Sequence, residues 1–243
     1  MADKRRKPIV DPRAAERRRS LFMKIGSAVA IVVIAVVVIT VVVLTNKSST
    51  GDATAPTAAT NNAFRVTSAP AGATPKVTLQ IYEDFQCPVC KQFEQIFGAA
   101  LTQARANPQV AIDYQPIAIL DRMSSDDYST RAANASACVA EATKGDNFET
   151  WLKFHNLLYA NQPEEGGAGL TDDQLASFAN QAGAQNVKQC ISDGQFKDWV
   201  TQQTKASGVS GTPTVKINGQ DFNIQQGPDA LLAQINQLAG AAQ

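Results

Sequence analysis

An α/β domain with a helical insertion, behind a single transmembrane helix, is the fold class the 243-residue sequence predicts. Three observations carry it. A strand pattern runs into Cys87-Pro88-Val89-Cys90 and straight on into an amphipathic helix. About 85 residues with little strand character separate that unit from a second group of strands. Near the N-terminus, the 22 residues Ile25 to Asn46 carry no charge.

The zero net charge hides a division. Residues 1–24 hold nine Lys/Arg against three Asp/Glu, whereas the chain after residue 46 holds thirteen against nineteen. Basic charge belongs to a short tail, so the folded part is not suited to nucleic acid. Residues 25–46 are dominated by Val, Ile and Ala, and about 20 such residues span a bilayer as a helix. A core helix would need polar positions along one face, and this run has none. The rival is a cleaved signal peptide, whose apolar region is about 7–15 residues long and ends at a small-x-small site. This run is longer, and only Asp52-Ala53-Thr54-Ala55 offers such a site. Lys and Arg before the run against a lone Lys47 after it place the tail 1–24 in the cytoplasm and the long C-terminal part outside. Residues 47–74 are rich in Ala, Thr, Ser, Asn and Pro and read as a flexible linker, with Phe64 and Val66 able to dock as an edge strand.

The domain spans 75–243, long enough for a core of its own. Val77-Thr78-Leu79-Gln80-Ile81-Tyr82 alternates as a strand does. Phe93, Ile96, Phe97, Ala100 and Leu101 recur at helical spacing, and Asn107-Pro108 ends that helix. Val110 to Gln115 alternates again, so the three form a βαβ unit with a right-handed crossover. The insertion, about 122–207, predicts helices over 125–143, 147–160, 172–181, 185–192 and 196–207. Thr171-Asp172-Asp173-Gln174 is a capping box for the third. Residues 214–217 and 220–224 flank Asn218-Gly219 as a hairpin, and Pro228 opens a last helix.

Two cysteines separated by two residues can close a small disulfide or ligate a metal. Structural zinc needs about four ligands. The chain adds only Cys138, Cys190 and one histidine. That histidine, His155, lies among Trp151, Phe154 and Leu158 and reads as a packed, partly buried core residue. No resident metal or cofactor is expected, although a transient copper or haem role for Cys87 and Cys90 stays open. The disulfide reading is favoured by position. Pro88 suits the first turn of the helix, so the Cys87 sulfur lies near free N–H groups that favour the nucleophilic thiolate. A second feature is Pro213, in Gly211-Thr212-Pro213-Thr214 just before the hairpin. Proline there either starts a strand or marks a functional cis turn.

Taken together, strand-Cys87-Pro88-Val89-Cys90-helix, a helical insertion, Gly211-Thr212-Pro213-Thr214 and a final ββα resemble the thioredoxin superfamily over about residues 75–240. The order and the insertion resemble its DsbA-like branch, and Glu83-Asp84-Phe85-Gln86-Cys87-Pro88 resembles membrane-tethered bacterial members. The resemblance implies a thioredoxin fold, a cis Thr212–Pro213 bond packed on a Cys87–Cys90 disulfide, and substrate held along Thr212, Pro213, Pro88 and Val89. It also implies an extracytoplasmic thiol:disulfide oxidoreductase that introduces disulfides into reduced or unfolded exported proteins. A mixed disulfide would form at Cys87, and a membrane quinone-linked oxidase would reoxidise the pair. A reductase or isomerase of the same fold, or a copper- or apocytochrome-handling protein, is the alternative.

Two departures matter. The DsbA archetype has histidine as the second residue between the cysteines; Val89 stands here and implies a less acidic Cys87 and a weaker oxidant. Thioredoxin-like proteins often bury an acid six residues before the first cysteine; Ile81 stands here, and Glu83, two residues on along the same strand face, is the candidate proton carrier to Cys90. Its alternative is a solvated carboxylate at a strand end. Cys138 and Cys190, in two helices of an exported insertion, are expected to form a structural disulfide. A redox relay with the first pair, or two free thiols, are the alternatives.

Overall fold

The computed structural model describes residues 53–240. The basic tail 1–24 and the apolar segment 25–46 lie outside the described residues. Among the described residues, no helix is long and apolar enough to cross a membrane.

Strand β2 (Val77–Glu83) is the centre of the sheet. Val77, Leu79 and Ile81 are fully buried on one face of its pleat. Helix α1 (Pro88–Arg105) returns the chain so that β3 (Val110–Pro116) lies parallel to β2, Val77 beside Val110 and Glu83 beside Pro116. The outer edge is β1 (Phe64–Thr67), antiparallel to β3 with Phe64 opposite Tyr114. Strand β4 (Thr214–Ile217) pairs antiparallel with the other side of β2, and β5 (Gln220–Asp221) closes the order β1-β3-β2-β4-β5. Helix α1 buries Phe93, Phe97, Ala100, Leu101 and Ala104 at three- and four-residue spacing. It packs against the last helix, α7 (Gly227–Gly240), whose Leu231 and Ile235 are buried.

The insertion consists of α2 (Tyr128–Ala142), α3 (Glu149–Ala160), α4 (Asp172–Ala182), α5 (Lys188–Asp193) and α6 (Lys197–Ser207). Alanines at 132, 133, 135, 137 and 140 bury α2 and let the other four helices approach it closely. Its Asn134 ties two of them, donating to the Ile191 carbonyl at 3.2 Å and accepting from the Phe196 N–H at 2.8 Å. Cys138 of α2 and Cys190 of α5 are joined by a disulfide. Gly169 turns with φ +73°, and any Cβ there would overlap the Tyr128 ring.

Three of the differences from the sequence expectation have a plain local reason. Helix α2 starts at Tyr128 rather than at residue 125, because Asp127 adopts a left-handed conformation with φ 44°. The second hairpin strand stops at Asp221, where the Asn223 side chain accepts from the Gln225 N–H at 3.0 Å and turns the chain into a 3₁₀ segment. The flexible linker expected over 47–74 is folded in part. Phe64 is fully buried among Phe148, Trp151 and Trp199, and Glu141 accepts from the Ala58 N–H at 3.1 Å and the Thr57 hydroxyl at 2.8 Å.

Phe64→Ala should therefore cost about 3–5 kcal/mol in denaturant unfolding, the range for a large buried ring. A residue in a free tether would show almost no change. Replacing Cys138 and Cys190 together by Ser opens a loop of separation 52 and should cost about 4 kcal/mol in the same measurement.

Candidate active site

At the end of β2 the chain makes a tight turn that presents Cys87 to the start of α1. Asp84 shapes it: its carbonyl accepts from the Cys87 N–H at 2.9 Å, and its carboxylate accepts from Gln86 N–H at 2.9 Å and Leu120 N–H at 3.0 Å. Burial raises Asp84 to about 6 against these stabilising hydrogen bonds. From the insertion, Gln162 donates to the carbonyls of Phe85 and Cys87, both at 2.9 Å. Cys87 is the N-cap and Pro88 occupies the first helical turn, so the proline's missing N–H leaves no orphan donor.

Across from the helix tip, the Thr212–Pro213 peptide is cis. The Cys87 Sγ lies 3.3 Å from the Thr212 carbonyl oxygen. Sulfur and loop touch directly. To one side lies a cleft of about 280 Å³ lined by Val89, Phe93, Ile96, Phe97 and Ile224 together with Gln92 and Gln225, with Val89 49% exposed.

Both cysteines are free thiols, and they differ sharply. Cys87 is lowered to about 6, chiefly by hydrogen bonding from the Cys90 thiol. Burial opposes this, while the Thr212 side chain and the backbone N–H groups of Cys90 and Val89 add to it. The same Thr212 hydroxyl is buried without a hydrogen-bond partner, and the Thr212 side chain favours the thiolate of both sulfurs. Cys90 is pushed well above the ordinary thiol value, first by burial and then by Cys87. One sulfur is a nucleophile at neutral pH; the other holds its proton.

Glu83 is buried, which excludes the solvated strand-end alternative. Its Oε2 lies 2.9 Å from His155 Nε2 and accepts from the Tyr159 hydroxyl at 3.2 Å. His155 is fully buried, not partly so, with rings of Phe85, Tyr114 and Trp151 around it. Burial lowers its affinity for a proton, but the Glu83 charge and hydrogen bond reverse this and raise it to about 9. Glu94, on α1, is raised to about 7 by burial, against the pull of His155. The sequence expectation places His155 in the core and gives no role to Glu94 or Tyr159. The available signal was helical spacing: His155 and Tyr159 are four apart, as are Cys90 and Glu94, so each pair shares a helix face. Cys138 and Cys190 are bonded to each other, separate in sequence and pairing from Cys87 and Cys90.

A family model described as thioredoxin matches residues 72–237. Among solved structures, reduced DsbA from Mycobacterium tuberculosis is 35% identical with a TM-score of 0.67, covering 74% of this chain and 93% of that one. The reduced disulfide bond oxidoreductase DsbG from the same organism is 36% identical with a TM-score of 0.67, covering 75% and 90%. MdbA, a thiol-disulfide oxidoreductase from Corynebacterium diphtheriae, is 25% identical with a TM-score of 0.60, covering 72% and 90%. Serine/threonine-protein kinase PknE of Mycobacterium tuberculosis is 36% identical over 141 residues, which are 56% of this chain and 24% of PknE. The chain thus spans about a quarter of the curated relatives it matches.

The lowered Cys87 thiol makes a kinetic expectation. Alkylation of the reduced chain by iodoacetamide should rise with pH to a plateau with a midpoint near 6, and mass mapping should place the label on Cys87 and not on Cys90. A lowered acid stabilises the fold fully above the unfolded value of 9, and that gain is lost as pH falls through 6. At pH 7 the reduced form should gain about 1.4 kcal/mol from this source, read as the pH dependence of its unfolding relative to the oxidised form.

Proposed function

We propose, for a chain that belongs to the thioredoxin family and is a thiol:disulfide oxidoreductase, that Cys87 and Cys90 are its redox pair and that it introduces disulfides into exported proteins. The observation that carries this reading is the Cys87 sulfur at the tip of α1, 3.3 Å from the carbonyl that precedes Pro213.

The steps follow from the asymmetry of the two sulfurs. A client thiolate attacks Cys87 of the closed pair; the Cys87–Cys90 bond breaks and Cys90 leaves as a thiolate. Because burial disfavours that thiolate, a proton must reach it. Glu83 is the carrier we assign, with Tyr159, bonded to it, lying in the electrostatic reach of Cys90. The mixed disulfide then rests beside Thr212 and Pro213, where an extended client segment can pair with the Thr212 backbone, and with Pro88 and Val89 on the other side. A second client thiolate attacks the client sulfur and expels Cys87 as a thiolate, a good leaving group because its affinity for a proton is low. Two client thiols are oxidised and one disulfide is reduced.

Turnover requires reoxidation, for which a membrane quinone-linked oxidase is the partner we assign. Retention beside it is the role we give residues 25–46, as a single-pass anchor with the N-terminus cytoplasmic and the catalytic domain extracytoplasmic. The stretch between residue 46 and the docked segment 56–67 then serves as the tether.

The test is oxidative refolding of a reduced, disulfide-containing substrate by the full chain, with its equilibrium potential measured in glutathione buffers. Wild type should accelerate refolding, Cys87→Ser should fall to the uncatalysed rate, and Cys90→Ser, with oxidised glutathione as the oxidant, should accumulate a mixed disulfide at Cys87. Activity retained by Cys87→Ser would sink the assignment. A potential near thioredoxin's, about −270 mV, would make the enzyme a reductase instead.

A further inference from the structure

The geometry points to a second site: we propose that Glu83, Glu94 and His155 bind one divalent transition-metal ion of the zinc type. The ligating atoms of the three side chains lie within 4.8 Å of one another, on β2, α1 and α3. The metal proposal does not depend on the cysteines, and it shares Glu83 with the redox reading, so a bound ion would occupy the proton carrier assigned above.

Three features of the cluster lead there. The first is a shortfall of hydrogen bonding. Glu83 and Glu94 face His155, with the Arg105 charge also acting on Glu94, yet Glu83 Oε1 and Glu94 Oε1 are both buried with no hydrogen-bond partner among the described residues. Glu83 itself is 1% exposed, so water does not compensate its orphaned oxygen through open solvent. A cation placed among the three groups satisfies both oxygens at once, which the single imidazole cannot.

The second is the orientation of the histidine. Its Nδ1 lies 3.2 Å from Asn156 Oδ1, and its Nε2 lies 2.9 Å from Glu83 Oε2 in the ion pair already described. A metal ion would displace the Nε2 proton and take up that lone pair while Nδ1–H stays on Asn156. A ring N–H donated to a fixed oxygen, with the opposite nitrogen turned inward, is how metal-bound histidines are oriented. Tyr159 does the same for the carboxylate, donating to Glu83 Oε2 at 3.2 Å.

The third is access. A cavity of about 370 Å³ is lined by Glu94, Tyr114, Asn156 and Tyr159, with Lys91 and Arg105 also in its wall, so the cluster borders an entry path. Imidazole with carboxylates selects zinc-type ions over magnesium or calcium, which take oxygen ligands. Zinc bonds of about 2.1 Å put tetrahedral ligand atoms about 3.4 Å apart, so the present spread must close by about an ångström. Glu94, whose Oε1 holds no partner, is the side chain free to move.

The experiment uses the full chain with Cys87 and Cys90 oxidised, so that no thiolate can compete. Zinc chloride is titrated by calorimetry, and cobalt chloride serves as a spectroscopic probe. One ion per chain is expected, with cobalt d–d absorption of a nitrogen–oxygen site and no sulfur charge-transfer band. Glu94→Gln should weaken zinc binding by tenfold or more while leaving the circular dichroism unchanged. Asn156→Leu should weaken it by about 10–100-fold through loss of the histidine's orientation. Absence of stoichiometric zinc binding by the folded, oxidised chain would overturn the proposal. So would undiminished binding by a Glu94→Gln, His155→Gln chain, or binding that appears only after the cysteines are reduced. Loss of refolding activity in Cys87→Ser with zinc binding intact separates this site from the redox pair.

Discussion

A sulfur atom at the tip of a helix is the constraint around which the molecule is built. Cys87 must stop being strand and start being helix within one residue, with backbone N–H groups left free to face its sulfur. The turn drawn tight by Asp84, the proline at the first helical position and the two hydrogen bonds from Gln162 all serve that placement. Each restrains backbone, so the sulfur's surroundings are ordered before any substrate arrives. Electrostatic stabilisation of the thiolate then costs no reorganisation at the moment of attack.

The other half of the site comes from nearly 125 residues away in the chain, and strand pairing is what brings it there. Tyr82 pairs with Thr214 across β2 and β4, which sets Thr212 and Pro213 against the end of the strand that leads to Cys87. The separation between Cys87 and Thr212 in the hydrogen bond is 125 residues. A parallel β2–β3 pair on the opposite side fixes β2 in the middle of the sheet, buried on both faces near its end. The sheet is therefore the ruler that sets the distance between the two halves of the chemistry.

The insertion does more than cover one side of that sheet. Its helix α3 supplies His155 and Tyr159 to a buried polar cluster, and Gln162, two residues beyond its end, holds the turn that presents Cys87. Alanine-rich α2 lets its neighbours close around it, and Arg131 anchors the segment after α3 by donating to the carbonyls of Ala168 and Leu170, both at 2.6 Å. Such a cluster in a low-dielectric interior is costly unless its members are satisfied, so its composition bears on function more than on stability.

Local pattern was enough for much of this. Alternation along Val77–Tyr82, the three- and four-residue stripe of Phe93, Phe97 and Leu101, and the Thr171 capping box each depend on near neighbours in sequence, and each appears where expected. Cys87-Pro88-Val89-Cys90 and Thr212-Pro213 were legible for the same reason, as short motifs whose chemistry is written in adjacent residues. Tertiary structure alone decided the partners of Glu83, the full depth at which His155 lies, the burial of Asp84, and the rings on which Phe64 docks. A carboxylate's partner and its dielectric are set by chains that fold in from elsewhere, and no spacing along one strand records them. In the same way, residues 56–67 lack the length and apolar content to be a stable element alone; the waiting edge of β3 and a pocket of aromatic rings make them one.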